Sequence, residues 1–255
     1  MSQIRILLLI SVVGLTISGC GNGNSNSYQG WAEGVFVFVG PDEAGRVEKL
    51  SVREGDTVKP GDVLFTVDAE LQQADLKVAE AVLANSKQTF DRAQQLLKTG
   101  SGSQKNFDEA ESNLREAEAR LNAARTRLVR RKLVSPVGGV VQQVYFREGE
   151  VVPAARAAIS VLPPGNVKVR FFVPQAVLPT IKIDDPIAVR CDGCPQDIAG
   201  KVTFIAGSAE YTPPVIYSLE ERQKLVFLVE ARPDSSSGLR VGQPVSVTLK
   251  PREGS

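Results

Sequence analysis

Residues 44–58 read AGRVEKLSVREGDTV and residues 138–152 read GGVVQQVYFREGEVV, so one pattern occurs twice in this chain of 255 residues. The copies align without a gap at a constant offset of 94 positions. Both alternate apolar and polar residues, which is the period of a half-buried β-strand. Each then breaks at Arg-Glu-Gly before an acid, where Gly55 and Gly149 can take the positive φ of a tight hairpin turn. Because a lone hairpin is barely stable in water, the repeat predicts one small flattened barrel of two paired hairpins.

The residues between the two copies have a helical pattern. From 69 to 131 there is no proline, and the only glycines are Gly100 and Gly102. Heptad spacing places large apolar residues at one seam position of each arm and small residues at the other, so two helices can interdigitate closely. The seam residues are Leu76, Ala79, Leu83, Ser86, Phe90, Ala93 and Leu97 in the first arm, and Phe107, Ala110, Leu114, Ala117, Leu121, Ala124 and Leu128 in the second. The short turn at 100–103 makes the arms antiparallel, and arms of about 28 residues would span about 40 Å.

The split barrel resembles the biotinyl/lipoyl carrier fold, in which a modified lysine occupies the turn between the halves. Here the chain leaves the barrel after Asp68 and resumes strand character at Leu133, so no lysine remains at a hairpin tip. A split barrel with a long helical hairpin more closely resembles the periplasmic adaptor, or membrane fusion protein, family of haemolysin-secretion (HlyD) type. The resemblance covers nearly the whole mature chain and implies an α+β fold. A split lipoyl-like β-barrel (34–68 and 133–163) is interrupted by an α-helical coiled-coil hairpin (69–132) and followed by a second small β-barrel (164–251).

The turn of the helical hairpin carries a further resemblance. Family members that dock a TolC-type outer-membrane duct have arginine, leucine and serine with three and then six intervening residues, and Arg92, Leu96 and Ser103 have that spacing. Such a patch would offer a guanidinium fork, an apolar contact and a hydroxyl. The structural alternative is that Leu96 packs in the seam, Arg92 is a solvated charge and Ser103 caps the second helix. The basic cluster at the other end of the second arm is interpreted as a solvated helix C-terminus that suits the dipole; its members are Arg125, Arg127, Arg130, Arg131 and Lys132.

Residues 1–19 are predicted to be a lipoprotein signal peptide. Arg5 provides the basic start, and the apolar run at 6–15 is too short to cross a bilayer. Residues 17–20, ISGC, resemble a lipobox, so the mature chain is expected to begin at Cys20 with acyl chains attached; the alternative is an ordinary secretory signal with a chance cysteine. Residues 20–33 are expected to be a lipid-anchored flexible tether. The expected location is the periplasm, at the inner membrane, although Gly21 supplies no retention signal of the aspartate kind.

The composition argues against several classes of function. A net charge of +1 argues against nucleic acid as a partner, since phosphate binding needs a basic excess. The absence of histidine argues against hydrolases and metalloenzymes, because most of them use imidazole as an acid, a base or a metal ligand. No catalytic residue, metal site or cofactor is predicted.

The last third of the chain has short strands separated by turns, which predict the second barrel; they are at 167–173, 187–191, 198–205, 224–231 and 244–250. Cys191 and Cys194 form a C-x-x-C pair without a second ligand pair or a nearby helix N-terminus that would activate a redox thiol. In an oxidising periplasm a turn-closing disulfide is expected, and two free thiols are the alternative.

The family resemblance implies a non-enzymatic adaptor that joins an inner-membrane exporter to a TolC-type outer-membrane duct, as a homo-oligomer with a hexamer expected. An ABC-type exporter is favoured because residues 210–227 look like the barrel of adaptors that serve such exporters, and because no membrane-proximal domain is apparent; RND- and MFS-type exporters are the alternatives. The first alternative is that the chain is a self-associating structural or sensory periplasmic lipoprotein. The second alternative is a biotinyl/lipoyl carrier.

Overall fold

The structure is a computed structural model that describes residues 27–194, 196–211, 225–234 and 238–250. The signal peptide, Cys20 and most of the 210–227 stretch lie outside these ranges. The described residues divide into two compact units: Glu33–Lys168, and residues 27–32 together with the described residues from Val169 onward.

The described residues form fifteen strands and two α-helices. The strands are β1 (Ser27–Gly34), β2 (Val37–Val39), β3 (Gly45–Leu50), β4 (Thr57–Val58), β5 (Val63–Val67), β6 (Lys132–Val134), β7 (Gly139–Val144), β8 (Val151–Val152), β9 (Ile159–Leu162), β10 (Val167–Pro174), β11 (Pro186–Cys191), β12 (Ile198–Ile205), β13 (Glu210–Tyr211), β14 (Leu225–Pro233) and β15 (Pro244–Leu249). The helices are α1 (Glu70–Lys98) and α2 (Gln104–Val129).

The unit Glu33–Lys168 contains two four-stranded antiparallel sheets, in the orders β2-β9-β7-β4 and β6-β5-β3-β8. The offset of 94 positions relates β3 to β7 and β4 to β8 residue for residue, and it relates β2 to β6 and β5 to β9 within two residues. Exchanging the two copies turns the first strand order into the second. Each sheet therefore contains strands from both halves of the repeat, and their inward side chains share one core of mainly Val, Leu, Ile and Phe residues.

The two turn glycines have the expected conformation, but the prediction that they close hairpins is wrong. Gly55 has φ +92° and Gly149 has φ +89°. The turn at Gly55 carries the chain from β3 in one sheet to β4 in the other. The ladder bonds are instead made with the opposite copy, because the Gly55 amide donates to the Val141 carbonyl and the Gly149 amide to the Val47 carbonyl, both at 2.8 Å.

The glutamates that precede these glycines, Glu54 and Glu148, form hydrogen bonds between the two copies of the repeat. The Glu54 carboxylate accepts a hydrogen bond from the Val144 amide (3.0 Å), and the Glu148 carboxylate accepts one from the Leu50 amide (2.8 Å). These two bonds are equivalent under the offset of 94. Each reaches from the turn of one copy to the strand end of the other, so the glutamate and the glycine of the repeated motif are explained by bonds that join the two copies.

The next turn of each copy shows where the repeat is imperfect. Gly61 has φ +90°, whereas its counterpart Ala155 adopts φ +57°, in the left-handed region that L-residues avoid. The amide of Ala155 donates to the Pro41 carbonyl at 2.8 Å, which holds the turn in place. The second copy therefore carries backbone strain that the first copy avoids with glycine.

The helices α1 and α2 form the antiparallel hairpin, and the predicted seam is confirmed. Every predicted seam residue is buried or half-buried, including Ala110, Ala117, Leu121 and Ala124, which are buried. The Phe90 and Phe107 rings lie 5.4 Å apart between centroids. With 29 and 26 residues, the helices span about 43 and 39 Å at 1.5 Å per residue.

The second unit is a closed barrel. Its strands follow the order β10-β1-β15-β11-β12-β14-β13, and β10 also pairs with β14, which closes six strands into a ring. Alternate residues of β10 are buried, as expected for a strand with one face in a core. The strands predicted for this region are present to within two residues at each end, and residue 224 lies outside the described ranges.

The predicted tether is wrong for its last residues. Residues 27–33 belong to β1, which pairs with β15 from Ser27↔Thr248 to Trp31↔Pro244. Ala32 is fully buried, and the Trp31 ring packs 5.8 Å from that of Phe172. These contacts order a segment whose small and polar residues predicted a flexible chain.

Candidate functional site: the hairpin tip

The turn between α1 and α2 wraps around the carbonyl of Leu96. The amides of Ser101 and Gly102 both donate to that oxygen at 2.9 Å. Gly100 has φ +73°, and a Cβ at Gly102 would lie 3.0 Å from the backbone of Leu96. The turn therefore needs both of its glycines, one for its backbone angle and one for its close approach to the helix end.

Leu96 and Ser103 lie at this turn in different settings. The Leu96 side chain is 44% exposed, so the alternative that it packs in the seam is wrong. The Ser103 hydroxyl accepts a hydrogen bond from the Asn106 amide (3.2 Å), and Ser103 therefore caps α2. Its capping role accounts for serine at this position without any partner protein.

Arg92 completes the patch. It lies one helical turn before Leu96, so the two side chains emerge from the same face of α1. Arg92 is exposed, and within the described residues its guanidinium makes no hydrogen bond or ion pair. The three predicted residues thus occupy one end of the hairpin, with an exposed cation and an exposed apolar side chain beside a rigid turn.

At the other end of the hairpin, one residue of the basic cluster is not solvated. Arg131 is buried, with 8% of its surface exposed, and it donates to the carbonyl of Ala44 at 3.1 Å. Its guanidinium also lies 3.3 Å from the Glu43 carboxylate, which accepts a bond from the amide of the buried Gln72 at 3.2 Å. The interpretation of Arg131 as a solvated charge is therefore wrong. Gln72 and Arg131 continue the heptad seam by one polar layer, and Glu43 links both to the barrel.

Cys191 and Cys194 lie at the end of β11, with Cα atoms 5.3 Å apart and sulfur atoms within bonding distance. That separation is in the range of known disulfides. The Arg190 guanidinium donates to Asp197 at 2.9 Å across the same turn, and this hydrogen bond holds the pKa of the Asp197 carboxyl below its ordinary value. The disulfide remains a prediction.

In the described ranges, no group of three or more Asp, Glu and Cys residues is arranged to hold a metal ion. Neither α1 nor α2 has a stretch long and apolar enough to span a lipid bilayer.

The sequence is similar to those of known proteins. A family model described as "RND MFP, barrel-sandwich hybrid domain" matches residues 36–163, half of the chain. The nickel-cobalt-cadmium resistance protein NccB of Alcaligenes xylosoxydans xylosoxydans is 29% identical over 229 residues, which cover 85% of this chain and 55% of NccB. The probable efflux pump periplasmic linker protein SepA of Pseudomonas putida is 30% identical over 119 residues, covering 47% of this chain and 31% of SepA.

A solved structure supports the fold. The MacA–MexA chimeric protein, which contains the Pseudomonas aeruginosa MexA α-hairpin domain, superposes with a TM-score of 0.75 at 20% identity and covers 89% of this chain and 82% of that one. The chain belongs to the membrane fusion protein family defined by the barrel-sandwich hybrid domain. It spans about half the length of the first curated relatives that it matches, between 41% and 55%.

Proposed function

We propose that this chain is the adaptor subunit of a tripartite export system, bridging an inner-membrane exporter to a TolC-type outer-membrane duct through the hairpin tip. The observation that carries the proposal is that an exposed Leu96 lies one helical turn from an exposed Arg92, at the end of a hairpin about 40 Å long. In this role Leu96 would supply an apolar contact to the duct, and the Arg92 guanidinium would bind carboxylates or carbonyls of the duct. Family membership supports the same role, in which the chain does no chemistry.

The proposal includes a membrane anchor. Acyl chains on Cys20 would hold the protein at the periplasmic face of the inner membrane. This part rests on the lipobox-like residues 17–20 and on the adaptor role, since Cys20 lies outside the described residues.

The class of exporter is a further part of the proposal. The likeness of residues 210–227 to adaptors of ABC-type exporters favours an ABC-type partner. The description of the matching family model names RND instead, so an RND exporter is the main alternative and an MFS exporter the third. Capture of the exporter itself decides among the three.

Two competing functions make different demands on the chain. A biotinyl or lipoyl carrier needs a lysine at the β-turn between its halves, whereas here α1 and α2 connect β5 to β6. A self-associating structural or sensory lipoprotein needs no outer-membrane partner at the tip. The identity of the molecule captured by Leu96 therefore separates the adaptor from the second alternative.

The test is photocrosslinking in living cells from a photoreactive amino acid at position 96. The matched control is position 204, where Phe204 of β12 is exposed to a similar degree in the other unit. We expect position 96 to capture an outer-membrane duct and position 204 to capture none. Capture at position 96 of this chain alone, or of nothing, would refute duct docking and favour the self-associating lipoprotein. Affinity purification of the chain with its inner-membrane partner then identifies the class of exporter.

A further inference from the structure

The arginine of the repeated Arg-Glu-Gly motif has no part in the packing described above. Six positions are identical in residues 44–58 and 138–152. The valines at two of them are buried, and a Cβ at Gly45 or Gly139 would lie 2.9 Å or less from a neighbouring atom. The glutamates and turn glycines are bonded to the opposite copy. Arg53 and Arg147 are the remaining identical pair, and both are exposed. An arginine that both copies have without a bond in the fold indicates a contact outside the fold.

Both arginines are held in equivalent turns. The Arg53 amide donates to the Asp56 carboxylate at 2.8 Å, and the Arg147 amide donates to the Glu150 carboxylate at 2.9 Å. These bonds fix the backbone from which each side chain extends. Within the ranges that the structure describes, neither guanidinium makes a hydrogen bond or an ion pair. All five N–H donors of each guanidinium are therefore available to a ligand.

The two arginines line the same open cleft. Its volume is about 540 Å³, which lies in the range of small-molecule sites. The cleft lies between the turn that follows β3 and the turn that precedes β8, where one copy of the repeat meets the other. Its other lining residues are Leu50, Ser51, Val52, Asp56 and Glu148.

The two acids of this cleft are bound to the backbone and not to the arginines. Asp56 accepts from the Arg53 amide and Glu148 accepts from the Leu50 amide, both at 2.8 Å. Because the cleft has as many acids as arginines, its net charge gives no general attraction for anions. Binding must come from the guanidinium groups themselves, whose planar shape matches the paired oxygens of a carboxylate or a phosphate.

We propose that this cleft binds a small molecule with two or more ionised acidic groups, either carboxylates or phosphates, and that Arg53 and Arg147 each bind one of those groups. The two copies of the repeat then contribute one arginine each, which accounts for the identity of this position in both. The site goes beyond the adaptor function and does not rest on it, since no partner protein takes part.

The test is calorimetric titration of the purified full chain with pyrophosphate and, separately, with citrate. We expect Arg53→Gln and Arg147→Gln each to weaken binding by about tenfold or more. Arg53→Lys should fall between Arg53→Gln and the unchanged chain, because it keeps the charge and loses the planar fork. The matched control is Lys49→Gln. Lys49 is exposed on β3 beside Leu50 and does not line the cleft, so this change removes the same charge nearby.

A third titration, with dihexanoyl phosphatidylglycerol below its micelle concentration, separates a lipid headgroup from a free acid. This lipid has a single phosphate, so we expect it to bind more weakly than pyrophosphate. Binding of the lipid alone would overturn the proposal.

The variants decide between a specific site and a general attraction. Weaker binding in both arginine-to-glutamine variants, with Lys49→Gln unchanged, supports the proposal. Equal weakening in all three would show attraction to charge and overturn it, as would the failure of both acids to bind the unchanged chain in the millimolar range. Unchanged circular dichroism at 222 nm verifies that each variant is folded. Capture of the duct from position 96 is a separate measurement, so either proposal can fail while the other stands.

Discussion

Replacing Glu43 with alanine should loosen the base of the hairpin. The Glu43 carboxylate is within 3.3 Å of the Arg131 guanidinium and accepts from Gln72 at 3.2 Å. Removing one partner of a fully buried ion pair costs about 3–5 kcal/mol. Arg131 is nearly buried, but the Glu43 side chain is 51% exposed, so water can replace part of the lost interaction. Arg131 also keeps its bond to the Ala44 carbonyl. We therefore expect Glu43→Ala to lower the free energy of unfolding by about 1–2 kcal/mol.

The measurement is urea unfolding followed at 222 nm. Among the described residues α1 and α2 are the only α-helices, so this signal reports on the unit that contains them. Asp42→Ala is the matched control, since Asp42 pairs with Arg130 at 2.9 Å with both side chains largely exposed, and such pairs contribute about 0–1 kcal/mol. Glu43→Gln should fall between the two, because it retains an acceptor without the charge. Equal losses for Glu43→Ala and Asp42→Ala would refute the argument from burial.

Three further changes test other parts of the structure. Ala155→Gly should raise the free energy of unfolding by about 0.5–1 kcal/mol because it removes strain at positive φ, whereas Gly61→Ala should lower it by about 1 kcal/mol. Thermal unfolding followed at 222 nm compares the two variants. Equal shifts of the unfolding midpoint in the same direction would contradict the role of φ. Glu54→Ala should cost about 1 kcal/mol in the same assay because the Val144 amide loses its acceptor, and an unchanged midpoint would show that water substitutes for the carboxylate. If Cys194 is bonded, the purified chain should resist alkylation until it is reduced, and labelling of two thiols before reduction would disprove the disulfide.

The sequence predicted most of the first unit because its signals are local or repeated. The offset of 94 located equivalent strands, and the heptads located the seam except for its polar layer, Gln72 and Arg131. The partners of those strands were not predictable in the same way. A pair of hairpins and a pair of sheets with strands from both copies would bury the same alternate residues. The two arrangements differ in long-range backbone bonds, such as those of Gly55 and Gly149.

The sequence failed where small residues do the packing. β1 buries Ala32 and brings Gly30 so close to β10 that a Cβ there would lie 2.2 Å from the Arg170 carbonyl. A strand that packs through glycine and alanine lacks the β-branched residues that mark a strand. Its partner β15 lies more than two hundred residues away in the chain, so no local pattern indicates the pairing.

At the base of the hairpin, the sequence analysis did not predict that Arg131 is buried. Arg131 belongs to a cluster with four other basic residues, and residue type alone does not distinguish it from them. Its position in the heptad, seven residues after Ala124 on the seam, was a signal that could have shown it to be buried. For the hairpin tip, only the spacing of Arg92, Leu96 and Ser103 could be predicted from the sequence. The exposure of the Leu96 side chain could be read only from the structure.

The place where the hairpin joins the barrel makes its reach adjustable. The chain enters α1 from β5 and returns from α2 into β6, and these strands are hydrogen-bonded neighbours, with Phe65 opposite Leu133. Seven residues added to each arm would preserve the seam and move the tip outward by about 10 Å. The barrel would keep every hydrogen bond that it has now. In the proposed adaptor role, a gap of a different width between two membranes could therefore be matched by inserting or deleting heptads, with no change to the part of the chain that holds the hairpin.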